Sequence, residues 1–180
     1  MGTGDGTDTA ADRLHELATY FLEHPVPGPS ARTTHSTTPS APMNLGMLDY
    51  IQASVTEVVQ HTRTVNPDAG PLPEHVADVY DWCRQYTAHA PAIDQQRARA
   101  IEIRHRLEHA VRAGDARIVR PIHCPACRRV GLKWQPGLWR AVCLNVHCAR
   151  TNGGVHHQWK LARLAYEQAA VERIRQDCAT

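Results

Sequence analysis

A chain of 180 residues with 42% hydrophobic residues can bury one ordinary core, or a helical domain carrying a small appended module. Its 20 basic and 18 acidic residues nearly cancel, to a formal +2, which excludes a uniformly acidic or basic polyelectrolyte. No stretch approaches the about 20 apolar residues that span a bilayer, and the start, MGTGDGTDTAADRLHELATYF, has neither a basic end nor a continuous apolar run. The expected setting is the cytoplasm, with no membrane partner, where thiols stay reduced.

Residues 1–43 read as a mostly disordered N-terminal segment. Leu14, Leu17, Phe21 and Leu22 share one face of a short helix over 12–24, which Pro25 and Pro27 stop. A Pro/Ser/Thr linker follows, so this helix is either docked on the body or free to hook a protein partner.

Residues 44–115 read as a helical body. Leu48, Ile51, Val55, Val58 and Val59 form the first apolar stripe. Pro73 suits the first position of a second helix, with Val76, Val79, Tyr80, Cys83 and Tyr86 inward. A third runs from Pro91 to Gly114, the expected C-terminal cap, with Ile93, Ala100, Ile103, Leu107, Ala110 and Val111 at helical spacing. Three amphipathic helices joined by short breaks predict an antiparallel bundle. The stretch EIRHRLEH contains one E-x-x-H, Glu102 to His105, a spacing used by di-metal bundles. Such sites need matching carboxylates from other helices, and the basic Arg104 and Arg106 intervene, so it reads as a solvated face carrying charge pairs.

Residues 116–153 lose the helical period. VGLKWQ and LWRAVC flank Pro136-Gly137 and predict a β-hairpin. From residue 154 to 180 the period returns. Val155, Trp159, Ala162, Tyr166 and Ala169 form a stripe, widened by Leu161, Leu164 and Val171. This last helix is expected to pack back on the body as its fourth member. The fold class is therefore mainly α with a small β zinc ribbon inserted before the C-terminal helix.

Within the hairpin segment, Cys124 and Cys127 (C-x2-C) are separated by fifteen residues from Cys143 and Cys148 (C-x4-C). A C-x2-C turn aims two thiolates at one ion, and a hairpin of this length returns a second pair to complete a tetrahedron. Four soft thiolates select one structural Zn²⁺, with iron second. A thioredoxin-like redox pair needs a following helix, and here Arg128, Arg129 and a glycine-containing strand follow. A catalytic zinc needs an open position, which four thiolates remove. His147 is the one alternative ligand, in place of Cys148. Cys83 reads as a small core residue, and Cys178 lies near the terminus.

HCPACRRVGLKW with AVCLNVHC resembles the ribbon of small uncharacterised helical zinc-ribbon proteins of actinomycetes and their phages. The likeness is firmest over residues 118–150 and looser over 74–117, where VYDWC and RLEHAVRAGD carry it. It implies the same four cysteines as ligands and no settled activity.

Charge is sorted along the chain. From Ala116 to Tyr166 there is no Asp or Glu, against nine basic residues, including Arg128, Arg129, Lys133, Arg140 and Arg150. Residues 1–115 hold nine Arg against fifteen acidic residues, a balance of −6. Four thiolates on a dication carry −2, which leaves the ribbon segment at about +7. Such separation marks a surface that meets polyanions, and Arg suits phosphate because its planar fork binds two oxygens. No phosphate loop, nucleophile elbow or H-E-x-x-H is present, so neither an enzyme nor a small-molecule substrate is expected. The expected function is a non-enzymatic regulatory or accessory protein whose basic ribbon contacts DNA or RNA mainly through phosphate, with weak sequence preference. The alternative is a structural ribbon used to dock a protein in a larger complex. Trp134, Trp139 and Trp159 read first as ribbon and helix packing residues, and an exposed one could stack on a base.

Overall fold

The structure, a computed structural model, describes residue 19 and residues 45–178. The expectations for the N-terminal helix over 12–24 and its linker lie outside the described residues. Helix α1 spans Leu45–Val65. Its inward polar residues are satisfied within the helix: Ser54 and Thr62 donate to the carbonyls of Tyr50 and Val58, at 2.9 and 2.8 Å. That bond lets both be buried without an orphaned hydroxyl. Pro67 ends the helix, because the residue before proline is pushed out of the helical region.

The second helix starts later than Pro73. A 3-10 turn over Val76–Asp78 leads into α2, Val79–Thr87. Val76 is consequently exposed rather than inward, since a three-residue turn rotates it off the face that a 3.6-residue period would give. Trp82 joins Val79, Tyr80 and Cys83 in the core. Helix α3 spans Ala92–Arg112. Gly114 ends it as expected: at φ 87 it lets its own N–H reach Val111 O and that of Asp115 reach Ala110 O. Leu48 and Ile93 are exposed, contrary to the stripes, because each lies in the first turn of its helix, where no described residue covers it.

The hairpin is present, as strand β1, Leu132–Gln135, and strand β2, Arg140–Cys143, around a 3-10 turn at Pro136–Leu138. A short helix α4, Val146–Arg150, follows. The returning segment is not helical at first. Gln158–Trp159 forms strand β3, giving an antiparallel sheet in the order β1-β2-β3. Helix α5 begins only at Leu161 and runs to Asp177. Its buried face is therefore Leu161, Leu164, Ala165 and Ala169, not the stripe through Val155, Ala162 and Tyr166, all three of which are exposed. The strand breaks the phase on which that stripe depended.

Helix α3 is the shared wall of two cores. One face packs Ala98 and Ile101 against Val58, Val79, Tyr80 and Cys83 of α1 and α2. Ile103, Leu107 and Val111, four residues apart, face Leu132, Trp134, Leu161 and Leu164 on the other side. Full burial of each such side chain is worth about 1.5–3 kcal/mol. The last helix does pack back on α3, but it shares its core with the cysteine module rather than completing a four-helix bundle.

The EIRHRLEH stretch is not a solvated face. Glu102, His105 and His109 are all buried, because α3 is covered on both sides. Glu102 accepts from Arg84 at 2.8 Å and from Arg99 at 3.0 Å, and Arg99 reaches Glu172 of α5 at 2.7 Å. His105 bonds Tyr80 and Glu57. Among the described residues these groups assemble no second metal site, and no helix is long and apolar enough to cross a membrane.

Candidate metal centre

Two turns present the cysteines. In the first, Arg128 N–H donates to Cys124 O at 2.8 Å and Cys124 N–H to Arg129 O at 2.9 Å, which folds the chain tightly around Cys124 and Cys127. Closing this turn places Arg128 at φ 57, a left-handed conformation that favours glycine. In the second, Asn145 caps α4 by accepting from His147 N–H at 3.0 Å, and α4 carries Cys148 inward. Cys143, at the end of β2, is fixed by its N–H bond to His157 O at 3.0 Å.

The four sulfurs converge within 4.8 Å of one another. Cys124 and Cys148 Sγ are 4.0 Å apart, and Cys127 and Cys143 Sγ are 3.9 Å apart. A disulfide would bring a pair to about 2.05 Å, so these are four free thiols, close enough together to hold one metal ion. Cys124, Cys143 and Cys148 are buried and Cys127 is half-buried. His147 is exposed and outside the group, whose fourth member is Cys148. His123 and His156 are exposed, and His157 stacks on Trp159.

The thiols are electrostatically unequal. Burial pushes Cys148 up to about 12 and also raises Cys143. Burial acts upward on Cys127 too, but the Arg129 backbone and the Asn145 side chain outweigh it and hold that thiol at about 7. Four close sulfurs cannot all ionise without a cation, and a bound dication deprotonates them together.

Asn145 is the residue that sequence reading missed. Its amide donates to Cys127 Sγ at 3.6 Å, linking one cysteine pair to the other. Such outer bonds orient metal ligands. The available signal was an amide side chain inside C-x4-C directly before a helical turn. No protein-family profile matches this chain, and no curated protein or solved structure is similar to it.

The basic residues fall into two groups. Arg128 and Arg163 both pair with Glu167 of α5, at 3.2 and 2.6 Å. Arg117, Arg120, Arg129, Lys133, Arg140, Arg150 and Lys160 form no ion pair with a described residue. Lys133 and Arg140 lie on the outer face of the sheet, in alternation with inward Leu132, Trp134 and Ala141. Arg129 and Arg150 are exposed beside the two cysteine turns.

Arg128→Gly is expected to raise stability by up to about 1 kcal/mol. Glycine relieves the left-handed strain, and the lost exposed ion pair is worth about 0–1 kcal/mol. Arg163 still holds Glu167. A thermal melt checks this, and a clear drop in midpoint would show that Arg128 stabilises the turn more than its backbone strains it.

Proposed function

We propose that the protein is a non-enzymatic accessory or regulatory protein in which one Zn²⁺ on Cys124, Cys127, Cys143 and Cys148 frames a basic ribbon that contacts nucleic acid through phosphate. Zinc suits the donor set: a Zn–S bond of about 2.3 Å in a tetrahedron implies sulfurs about 3.8 Å apart, close to the 3.9 and 4.0 Å of two of the pairs, with all four sulfurs within 4.8 Å of one another. Four thiolates leave no position for substrate, so the ion's role is structural.

The observation that carries the nucleic-acid reading is the state of the cations. Arg84, Arg99, Arg104 and Arg112 in the body are matched with carboxylates, and Arg63 and Arg97 there form no ion pair with a described residue. The ribbon's Arg129, Lys133, Arg140 and Arg150 have no such partner among the described residues. Unmatched cations held on a rigid frame are the electrostatic signature of polyanion binding.

Replacing Arg129, Lys133 and Arg150 together with Ala is expected to weaken duplex DNA binding and flatten its log–log salt slope by about 0.9 per lost phosphate contact. Arg128 is left in place because its ion pair with Glu167 gives it another role. Titration of duplex DNA, single strands and structured RNA at low salt checks the reading. If none binds below roughly 10 μM, a loose limit even for non-specific contact, phosphate contact is not the function.

A second reading has its own support. Val130, Leu144 and Val146 are exposed around the cysteine turns, an apolar cluster that suits a protein partner. In that case a complex recovered with the protein survives nuclease treatment and is lost when Val130 and Leu144 become Ser.

A further inference from the structure

The hairpin tip carries an indole that the fold does not need for its core. Trp134 already fills the inner face of the sheet at 4% exposure, whereas Trp139 is 46% exposed and its neighbour Leu138 is 53% exposed. Trp139 also holds a left-handed backbone, φ 52. For so bulky a residue this is sterically unfavourable. The glycine of the same turn, Gly137, sits where no positive φ is required. Strained residues of this kind cluster at binding and active sites.

The ring is also held in place. The edge of Trp134 meets it at 5.2 Å and 74°, and Arg112 lies over it at 5.1 Å. Arg112 is itself fixed over the Tyr50 ring at 3.7 Å, with Glu108 at 3.9 Å. A ring already held by such contacts and still 46% exposed loses little freedom when a base stacks on its exposed part. Arg140 follows Trp139 directly, and Lys133 lies diagonally across the hairpin from Arg140, in the register Gln135 to Arg140 and Lys133 to Val142.

We infer that Trp139 is a stacking platform for an unpaired nucleobase, with Arg140 and Lys133 on the adjoining phosphates, so that the preferred ligand is a single-stranded segment rather than a duplex. This rests on the nucleic-acid reading above and specifies its substrate class. A base inside a duplex has both faces covered by its neighbours, whereas a single strand offers a free face to the indole. An aromatic platform beside unmatched cations is the general chemistry of single-strand binding.

The test uses the full-length, zinc-loaded chain with fluorescein-labelled oligo-dT, oligo-U and a duplex of equal length at low salt, read by polarisation. Both strands are expected to bind more tightly than the duplex, and the ratio between them separates DNA from RNA as the source. Trp139→Gly removes the ring while taking the left-handed backbone without cost. It is expected to weaken strand binding by about tenfold or more, the loss of one stacked base, and to leave duplex binding unchanged. Trp139→Phe retains most strand affinity. Equal loss on strands and duplex, or no loss on strands, overturns the platform while phosphate contact stands. A wild-type protein that binds neither strand nor duplex removes the phosphate reading and this inference with it.

Discussion

Cys143→Ser is expected to abolish metal binding and to unfold one of the protein's two cores while sparing the other. Cys143 is 2% exposed and belongs to the same buried cluster as Leu107, Leu132, Trp134 and Leu164. Losing one of four thiolates leaves two buried sulfurs and one half-buried sulfur, which cannot ionise together without the ion. Structural zinc contributes an apparent binding free energy of about 10–16 kcal/mol in small domains, of the same order as the about 5–15 kcal/mol that stabilises a whole protein. The damage does not stop at the ribbon. Leu161, Leu164, Ala165 and Ala169 of α5 pack in the same cluster, so α5 loses its seat when the ribbon opens. The core between α1, α2 and α3 contains none of the four ligands and should persist. Chelation of the wild type should reproduce the variant: the sheet and α5 are lost, Trp134 emission shifts red, and the helicity of α1–α3 remains. Metal analysis of reduced wild-type protein should give one zinc per chain. Less than about half an equivalent, or a melting curve unmoved by chelator, would remove the central claim.

Acid is expected to destabilise the protein steeply below pH 6.5, and His109 is the main reason. Its side chain is fully buried, and neither ring nitrogen has a hydrogen-bond partner among the described residues. Tyr50 meets its ring edge-on at 5.0 Å and His105 stacks on it at 6.3 Å. Burial, assisted by the charges of His105 and Arg112, pushes its pKa down from 6.5 to about 3. Between those values the unfolded chain takes a proton that the folded protein refuses. Stability therefore falls as pH falls, by about 1.4 kcal/mol per pH unit, and the loss ends near the folded value. Glu57 adds to it lower down. Its hydrogen bond to His105, with the Arg104 guanidinium beside it, holds its carboxyl at about 2 instead of 4.5, so its contribution is present above 4.5 and lost as pH falls towards 2. Urea unfolding from pH 7.5 to about 4.5 should show a loss of about 3 kcal/mol. His109→Leu forfeits no hydrogen bond and should be at least as stable at neutral pH, with a shallower acid slope. Both proteins keep the same cysteines, so the difference in slope isolates His109 from proton competition at the metal. Parallel slopes would show that His109 takes its proton freely in the folded state.

What could be read in advance was local. The spacing of Cys124, Cys127, Cys143 and Cys148, the hairpin around Pro136-Gly137 and the cap at Gly114 each depend on a few neighbouring residues, and each stands in the structure. So do the inward Ile103, Leu107 and Val111, because the period of an uninterrupted helix carries across its length. Two features were misread for one reason. Gln158–Trp159 has too few residues to show a strand period, and it exists as a strand because β2 offers an unpaired edge. That pairing shifted the start of α5 and with it the buried face.

Other features depended on which elements meet. Glu102, His105 and His109 resemble a solvated helix face until α1 and α2 cover one side of α3 and the cysteine module with α5 covers the other. Arg128 resembled a free cation until α5 brought Glu167 to it, and Trp139 became separable from Trp134 only once the sheet chose its inner face. By itself the sequence determined the grouping of four cysteines, the charge segregation and the helical class, because cysteine spacing, charge order and helical period are properties of short stretches. Only the tertiary structure decided which polar groups are buried, which cations are matched and where the last helix packs, because burial and pairing belong to contacts between residues tens of positions apart.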